Sequence, residues 1–270
     1  MPAVLCVKPE EVDTAAKRGK YTVSVIGCGE TGVLYAVAFA EAGYRVICAD
    51  ADQSLVRRLA RGKTPFVERD VEVKVKGFVR TGQLSTTSEV KGAVSQGDFV
   101  VLAVTAAVDV KRNVDFGEVE GVCKQVGAVL REGSLVVYGG VAGFGFTEGV
   151  VREVLENTSG FKVGVGFGLA YCPVQVSAGN VVEFGGEELL VAADDKVSLD
   201  AAVVVLGTVA KKGVRQFLGV KVAELAALFA VARRDAGVAL ANDLAVFCEG
   251  AGVDFFEVCG LLGLDVDGGC

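Results

Sequence analysis

Short apolar runs and helical repeats alternate along this chain. Val23, Val25 and Ile26 form one β-branched run and Arg45–Cys48 a second, while Asp98–Thr105 (DFVVLAVT) and Ser134–Tyr138 (SLVVY) are apolar almost throughout. Runs without polar alternation predict strands buried on both faces, as in a parallel sheet covered by helices. Between them, apolar residues return at helical intervals. Val33, Val37, Phe39 and Ala40 form such a stretch ending at Gly43, and Leu55, Val56 and Leu59 another within Gln53–Arg61. Glu89–Val94, Gly117–Leu130 and Glu148–Leu155 read the same way, and the spacing predicts helices. The charged stretch up to Val79 reads as helix or strand, and Gly82–Thr87 as a short strand and turn. Thr64–Glu68 and the glycine-rich Gly139–Gly145 read as loops, Phe161–Tyr171 and Glu188–Ala193 as further strands. Strand after helix, repeated, predicts an α/β fold with a doubly wound, Rossmann-like parallel sheet and right-handed crossovers.

The texture changes near residue 195. Leu199–Lys211 reads as helix, and Val222–Glu249 as one long helix with Leu225, Phe229, Ala232, Ala236, Ala239, Leu240 and Phe247 on or near one stripe. At 1.5 Å per residue such a helix runs on the order of 40 Å. It is apolar around much of its circumference, which implies packing on both sides. The plain reading is a core helix between two layers. The reading favoured is a dimer spine, because no later segment is large enough to cover it. The expected organisation is therefore a Rossmann-like domain over residues 1–195 and a helical central or dimerisation segment over 196–270.

Composition narrows the class. With 51% hydrophobic and 23% charged residues in 270, the chain can bury a substantial core. A net charge of −7 argues against nucleic acid, which needs clustered Lys and Arg. No apolar run reaches the roughly 18 residues of a membrane span, and no leader pattern opens the chain. The expectation is a cytoplasmic protein without a membrane partner. The eight cysteines lie far apart with no C-x-x-C pair, and there is no histidine, so no metal is expected. They read as small buried hydrophobes, with intracellular disulfides as the alternative.

The turn after the first strand carries the candidate chemistry. Gly27, Gly29 and Gly32 stand in G-x-G-x-x-G spacing between a strand and a helix, and a second strand runs into Asp50. In a dinucleotide site the first glycine permits a tight turn, the second lets a pyrophosphate approach the backbone, and the third lets helix and strand pack closely. Glu30 and Thr31 would supply N–H groups at the helix start, where the helix dipole favours an anion. Asp50 is placed to accept hydrogen bonds from ribose hydroxyls, which favours NAD over its phosphorylated form. Thr86, Thr87, Val104 and Thr105, at strand ends beside the switch point, are expected near the adenosine or pyrophosphate.

Further local matches carry a family resemblance. Arg61–Glu68 fits N-R-G-x-x-P-I-x-E, Gly82–Thr87 follows G-R-L-x-x-T-T with one residue fewer, and Asp98–Val104 fits D-V-x-x-x-A-V. Phe167–Pro173 fits the start of F-x-L-x-Y-S-P-E-R, and Ala223–Ala245 fits A-E-L…R-D-x-x-x-A-L-A-N-E-L-A. In this order the chain resembles the first two domains of the UDP-glucose/GDP-mannose dehydrogenase family, from Thr22 to about Glu257. The resemblance implies an NAD-dependent oxidoreductase that converts the C6 alcohol of a nucleotide sugar to a carboxylate. It also implies a cysteine nucleophile, an oxyanion-steadying Lys and Asn on the central helix, and an assisting Glu and Thr.

At each of those positions the sequence departs from the pattern. The Lys falls on Ala227, the Asn on Val231, the Glu on Val174 and a neighbouring Arg on Gln175, while the S-T-V loop reads Gly139-Gly140-Val141. The family's third domain is expected to be absent. Cys270, in Gly268-Gly269-Cys270, and Cys172, beside the expected site, are the candidate thiols; a chance match and a buried inert thiol are the readings favoured for them. The expected function is an NAD-binding homologue of nucleotide-sugar 6-dehydrogenases with its catalytic residues largely replaced. The alternative is a non-catalytic regulatory or scaffold subunit. A homodimer through Val222–Glu249, a nucleotide sugar and a separate partner subunit are the implied partners.

Overall fold

The computed structural model describes residues 4–64, 69–108, 114–141, 143–174 and 188–262. Residues 65–68 of the expected loop, Gln175 and Gly268–Cys270 lie outside these. The chain divides into two compact units, Met1–Glu224 and Leu225–Cys270.

After two single 3-10 turns, Val4–Cys6 and Pro9–Glu11, the first unit has a one-turn helix α1 (Ala15–Arg18) and then alternates. Strand β1 (Thr22–Ile26), helix α2 (Glu30–Glu41), β2 (Arg45–Ala49), α3 (Gln53–Ala60), α4 (Arg69–Thr81) and β3 (Leu84–Thr87) form its first half. The second half runs α5 (Val90–Gln96), β4 (Phe99–Leu102), a small hairpin of β5 (Ala107–Val108) and β6 (Val114–Asp115), α6 (Gly117–Gly127) and β7 (Ser134–Tyr138). A π-helical turn, Thr147–Arg152, leads into α7 (Glu153–Ser159), followed by β8 (Phe167–Tyr171), β9 (Leu189–Ala193), α8 (Lys196–Gly207) and β10 (Val214–Leu218). Aspartates start two helices. Asp52 accepts the N–H groups of Ser54 and Leu55 at 2.7 and 3.3 Å, and Asp195 that of Ser198 at 2.8 Å.

Eight strands form one sheet in the order β10-β9-β8-β7-β4-β1-β2-β3. Every pairing is parallel except β8 with β9. The chain winds outward from β1 to β3, then returns to the other side of β1 as β4. The switch point of this doubly wound sheet therefore lies between β1 and β4, above their carboxyl ends.

The apolar runs are continuous because both faces are covered. Val23 and Val25 join Val33–Ala40 of α2 and Leu199–Leu206 of α8 in one core layer. Ile26, Val100 and Leu102 join Val90–Val94 of α5, Val119–Val126 of α6 and Leu155 of α7 in the other.

Some elements differ from the expectation. The strand expected over Phe161–Tyr171 begins only at Phe167, because Gly164 has φ +78° and residues 164–166 form a turn. The stretch up to Val79, left open between helix and strand, is the helix α4. Past residue 195, where the sequence places a boundary, α8 packs in the same core layer and β10 extends the same sheet. The long helix α9 (Val220–Ala251) begins in the first unit; the second unit holds the rest of it and α10 (Phe255–Leu262).

Candidate functional site

The three glycines after β1 do separate work. Gly27 donates its N–H to the Ala49 carbonyl at 2.9 Å and turns at φ +100°. A Cβ there would lie 2.9 Å from the Ala103 carbonyl oxygen, so the turn sits directly against the end of β4. At Gly32, in the first turn of α2, a Cβ would fall 1.8 Å from the Gly27 carbonyl oxygen. Gly29 is the opposite case: a Cβ there would meet nothing within 4 Å. Open space thus faces the loop where α2 begins. The Val33 N–H bonds the Gly29 carbonyl at 3.0 Å, and the N–H groups of Glu30, Thr31 and Gly32 precede it at the helix start. The first N–H groups of a helix lack intrahelical acceptors and sit at the positive end of its dipole. The open side of Gly29, the free N–H groups and the positive helix end are the features by which such a turn holds a diphosphate.

Asp50 stands beside it at the end of β2. One carboxylate oxygen accepts the Cys28 N–H at 2.7 Å and the other the Asp52 N–H at 2.9 Å, which fixes the side chain against the glycine turn. The Asp50 N–H in turn reaches the Thr87 carbonyl at 3.3 Å. Thr86 and Thr87, half-buried, end β3; Val104, half-buried, and Thr105, exposed, follow β4. The sheet order puts Asp50 and the two β3 threonines on one side of the glycine turn, Val104 and Thr105 on the other. From β2 across to β7 is three strand spacings, roughly 14 Å.

Beyond β4 the Gly139-Gly140 turn packs on two buried aromatic side chains that the sequence reading did not single out. A Cβ at Gly139 would lie 2.5 Å from Cε2 of Tyr35, and one at Gly140 would lie 2.7 Å from Oη of Tyr138. Tyr35, wholly buried on α2, donates its hydroxyl to the Cys172 carbonyl. Cys172 follows β8 and is itself fully buried, and burial pushes its thiol up to about 12 against the lowering effect of the Tyr35 hydroxyl. At neutral pH this is a protonated thiol. Val174 is partly buried against the same core layer. Glu224, near the start of α9, is 3% exposed, and its carboxylate accepts the N–H groups of Gly145 at 2.6 Å and Thr147 at 2.8 Å. It caps the π-helical turn from another element. Only the A-E-L match pointed to this residue, and nothing in it indicated the cap.

Among the described residues no group of three or more His, Cys, Asp or Glu side chains could hold a metal ion. Nor is any helix there long and apolar enough to cross a membrane.

Residues 21–197 match the NAD binding domain of the UDP-glucose/GDP-mannose dehydrogenase family. The chain is 31% identical to GDP-mannose 6-dehydrogenase of Pseudomonas aeruginosa over 154 residues, 56% of this chain and 35% of that protein. It is 25% identical to UDP-N-acetyl-D-mannosamine dehydrogenase of Pyrococcus horikoshii over 244 residues, 87% of this chain and 56% of that protein. A solved ternary complex of GDP-mannose dehydrogenase from Pseudomonas aeruginosa superposes with a TM-score of 0.81 at 26% identity, over 90% of this chain and 56% of that one. The chain thus spans about a third to just over half the length of these curated relatives.

Proposed function

Because the chain belongs to the UDP-glucose/GDP-mannose dehydrogenase family and carries its NAD-binding domain, we propose that it binds NAD across the strand ends but does not itself oxidise a nucleotide sugar. In this reading the N–H groups of Glu30, Thr31 and Gly32 hold the diphosphate in the space left open by Gly29. Asp50 accepts the adenosine ribose hydroxyls, with Thr86 and Thr87 beside it, and Val104 and Thr105 line the crevice past the glycine turn. Bound NAD supplies a hydride acceptor. What the chain does not supply is the proton and oxyanion chemistry around it.

The observation that carries the reading is the Gly139–Gly140 pair. Where the family pattern has two hydroxyl side chains, the space beside these glycines is taken by Tyr35 and Tyr138, at 2.5 and 2.7 Å from the Cβ positions. The Lys, Asn and Glu positions of the pattern hold Ala227, Val231 and Val174, whose apolar side chains can neither move a proton nor steady an alkoxide. Each lost oxyanion donor typically costs about 100- to 1,000-fold in rate. Purified chain at high concentration is expected to form no NADH above a protein-free control with UDP-glucose, UDP-N-acetylmannosamine or GDP-mannose. Turnover dependent on the chain would contradict the reading. Activity appearing only on adding extract from the native source would support a regulatory or scaffold role beside a separate partner.

We also propose that α9 pairs with a second copy. It keeps Phe229, Val246 and Phe247 between 67% and 73% exposed, an apolar load that a lone helix does not hold in water. Light scattering is expected to give twice the chain mass, falling to the chain mass in Phe247→Glu. A monomeric wild type would rule this out.

A further inference from the structure

Two of the cysteines that read as small buried hydrophobes meet at the glycine turn. Cys28 stands between Gly27 and Gly29, and Cys48 lies on β2, two residues before Asp50. Both are wholly buried in the core layer of α2 and α8, and both are free thiols. The backbone brings them together. In the sheet register Val25 lies opposite Cys48 and Ile26 opposite Ala49. Gly27 then donates to the Ala49 carbonyl at 2.9 Å, and the Cys28 N–H to the Asp50 carboxylate at 2.7 Å. The Cys28 side chain is hydrogen-bonded to that of Cys48. An apolar layer suits a disulfide well, since it carries no charge and needs no hydrogen bond.

The two ends of this contact differ in freedom. Cys48 is held in mid-sheet, opposite Val25 of β1 on one side and Thr86 of β3 on the other. Cys28 sits in a turn, one residue from Gly29, where a Cβ would meet nothing within 4 Å. A disulfide needs its sulfurs at roughly 2.05 Å, closer than a thiol–thiol contact, so closing it moves the turn rather than the strand. The Cys28 N–H is the group that fixes Asp50 against the turn. The movement therefore falls on that carboxylate and on the helix start where a diphosphate would lie.

We propose that Cys28 and Cys48 are a redox pair whose disulfide, formed by a hydroperoxide, weakens dinucleotide binding at the glycine turn. One thiol attacks a peroxide oxygen and breaks the O–O bond, becoming a sulfenic acid. The departing hydroxide takes up that thiol's proton and leaves as water. The second thiol then attacks the sulfenic sulfur, forming the S–S bond and expelling a second water. Two thiols and one hydrogen peroxide thus give one disulfide and two waters, with two electrons passing from sulfur to oxygen. The contact with Cys48 and burial both hold the Cys28 thiol above its usual range, so the pair reacts slowly at neutral pH. A dithiol reductant reverses the change by exchange. The proposal rests on the NAD-binding reading and adds a control to it.

Peptide mapping by mass spectrometry and calorimetry with NADH, on the whole chain before and after hydrogen peroxide, test it. Mapping is expected to find a Cys28–Cys48 cross-link, lighter than the two thiols by two hydrogens. The cross-linked chain should bind NADH at least about tenfold more weakly, the worth of one hydrogen bond to a charged group. Dithiothreitol should restore the full affinity. Cys48→Ala, or Cys48→Ser should the alanine variant not fold, is expected to bind NADH as the reduced wild type does. It should keep that affinity after peroxide, which separates this pair from oxidation at the exposed Cys6. A wild type without the Cys28–Cys48 cross-link after peroxide would overturn the proposal. So would unchanged NADH affinity in the cross-linked chain, or a loss of the same size in the Cys48 variant. A reduced wild type that binds no NADH would instead bring down the cofactor reading, and this control with it.

Discussion

Gly32→Ala is expected to unfold the first unit under conditions where the wild type is intact, whereas Gly29→Val is expected to keep the fold and lose NADH. The two positions are three residues apart, yet the forces differ. At Gly32 the new methyl carbon would lie 1.8 Å from the Gly27 carbonyl oxygen, a contact with main chain that no rotamer change relieves. Overpacking typically costs about 1–3 kcal/mol, and a clash between backbone and a fixed methyl belongs at or beyond the top of that range. At Gly29 the backbone φ is −69°, which any residue adopts, and a Cβ meets nothing within 4 Å. Valine there costs the fold little, but it fills the space a diphosphate would occupy. An affinity loss of at least 100-fold, about 2.7 kcal/mol, is expected. Urea denaturation and calorimetric titration, run on both variants, separate the effects. An intact, NADH-binding Gly32→Ala would show that the close packing of α2 on β1 is not required. Undiminished binding by Gly29→Val would place the ligand elsewhere.

Glu224→Ala is expected to produce the second large loss, this time in stability. The carboxylate is 3% exposed and accepts two backbone N–H groups, those of Gly145 and Thr147. Hydrogen bonds to a charged group are worth about 1.5–3 kcal/mol each, and removing the acceptor leaves both donors without it. The expected loss is about 3–5 kcal/mol. At about 2–4 °C per kcal/mol for a domain of this size, the melting temperature should fall on the order of 10 °C. Glu224→Gln keeps one good acceptor oxygen and should lose roughly half as much. Differential scanning calorimetry checks both; equal melting temperatures for wild type and Glu224→Ala would show that the helix start is capped by other groups.

What the sequence made legible follows from the range of the forces involved. Phe99–Leu102 and Ser134–Tyr138 announce themselves because burial on both faces leaves no polar residue in the run. The Gly27, Gly29 and Gly32 spacing is equally local: turn, opening and packing contact all fall within a few residues. By contrast β10 passes unnoticed, because an edge strand reading VRQFL with four of its five residues exposed shows neither a run nor an alternation. The long-range partners are hidden for another reason. Tyr35 meets Gly139 and Cys172, and Glu224 meets Gly145 and Thr147, across 77 to 137 residues of chain. The glycines at 139 and 140 read from sequence as lost hydroxyls; beside Tyr35 and Tyr138 they read as room made for two tyrosines. Only the fold brings those facts together.

Titration of NADH into the wild-type chain by calorimetry tests the central claim most directly. The account predicts a saturable heat corresponding to one dinucleotide per chain. No heat at millimolar NADH would contradict it, leaving a glycine turn and Asp50 that retain the shape of a cofactor site without its affinity.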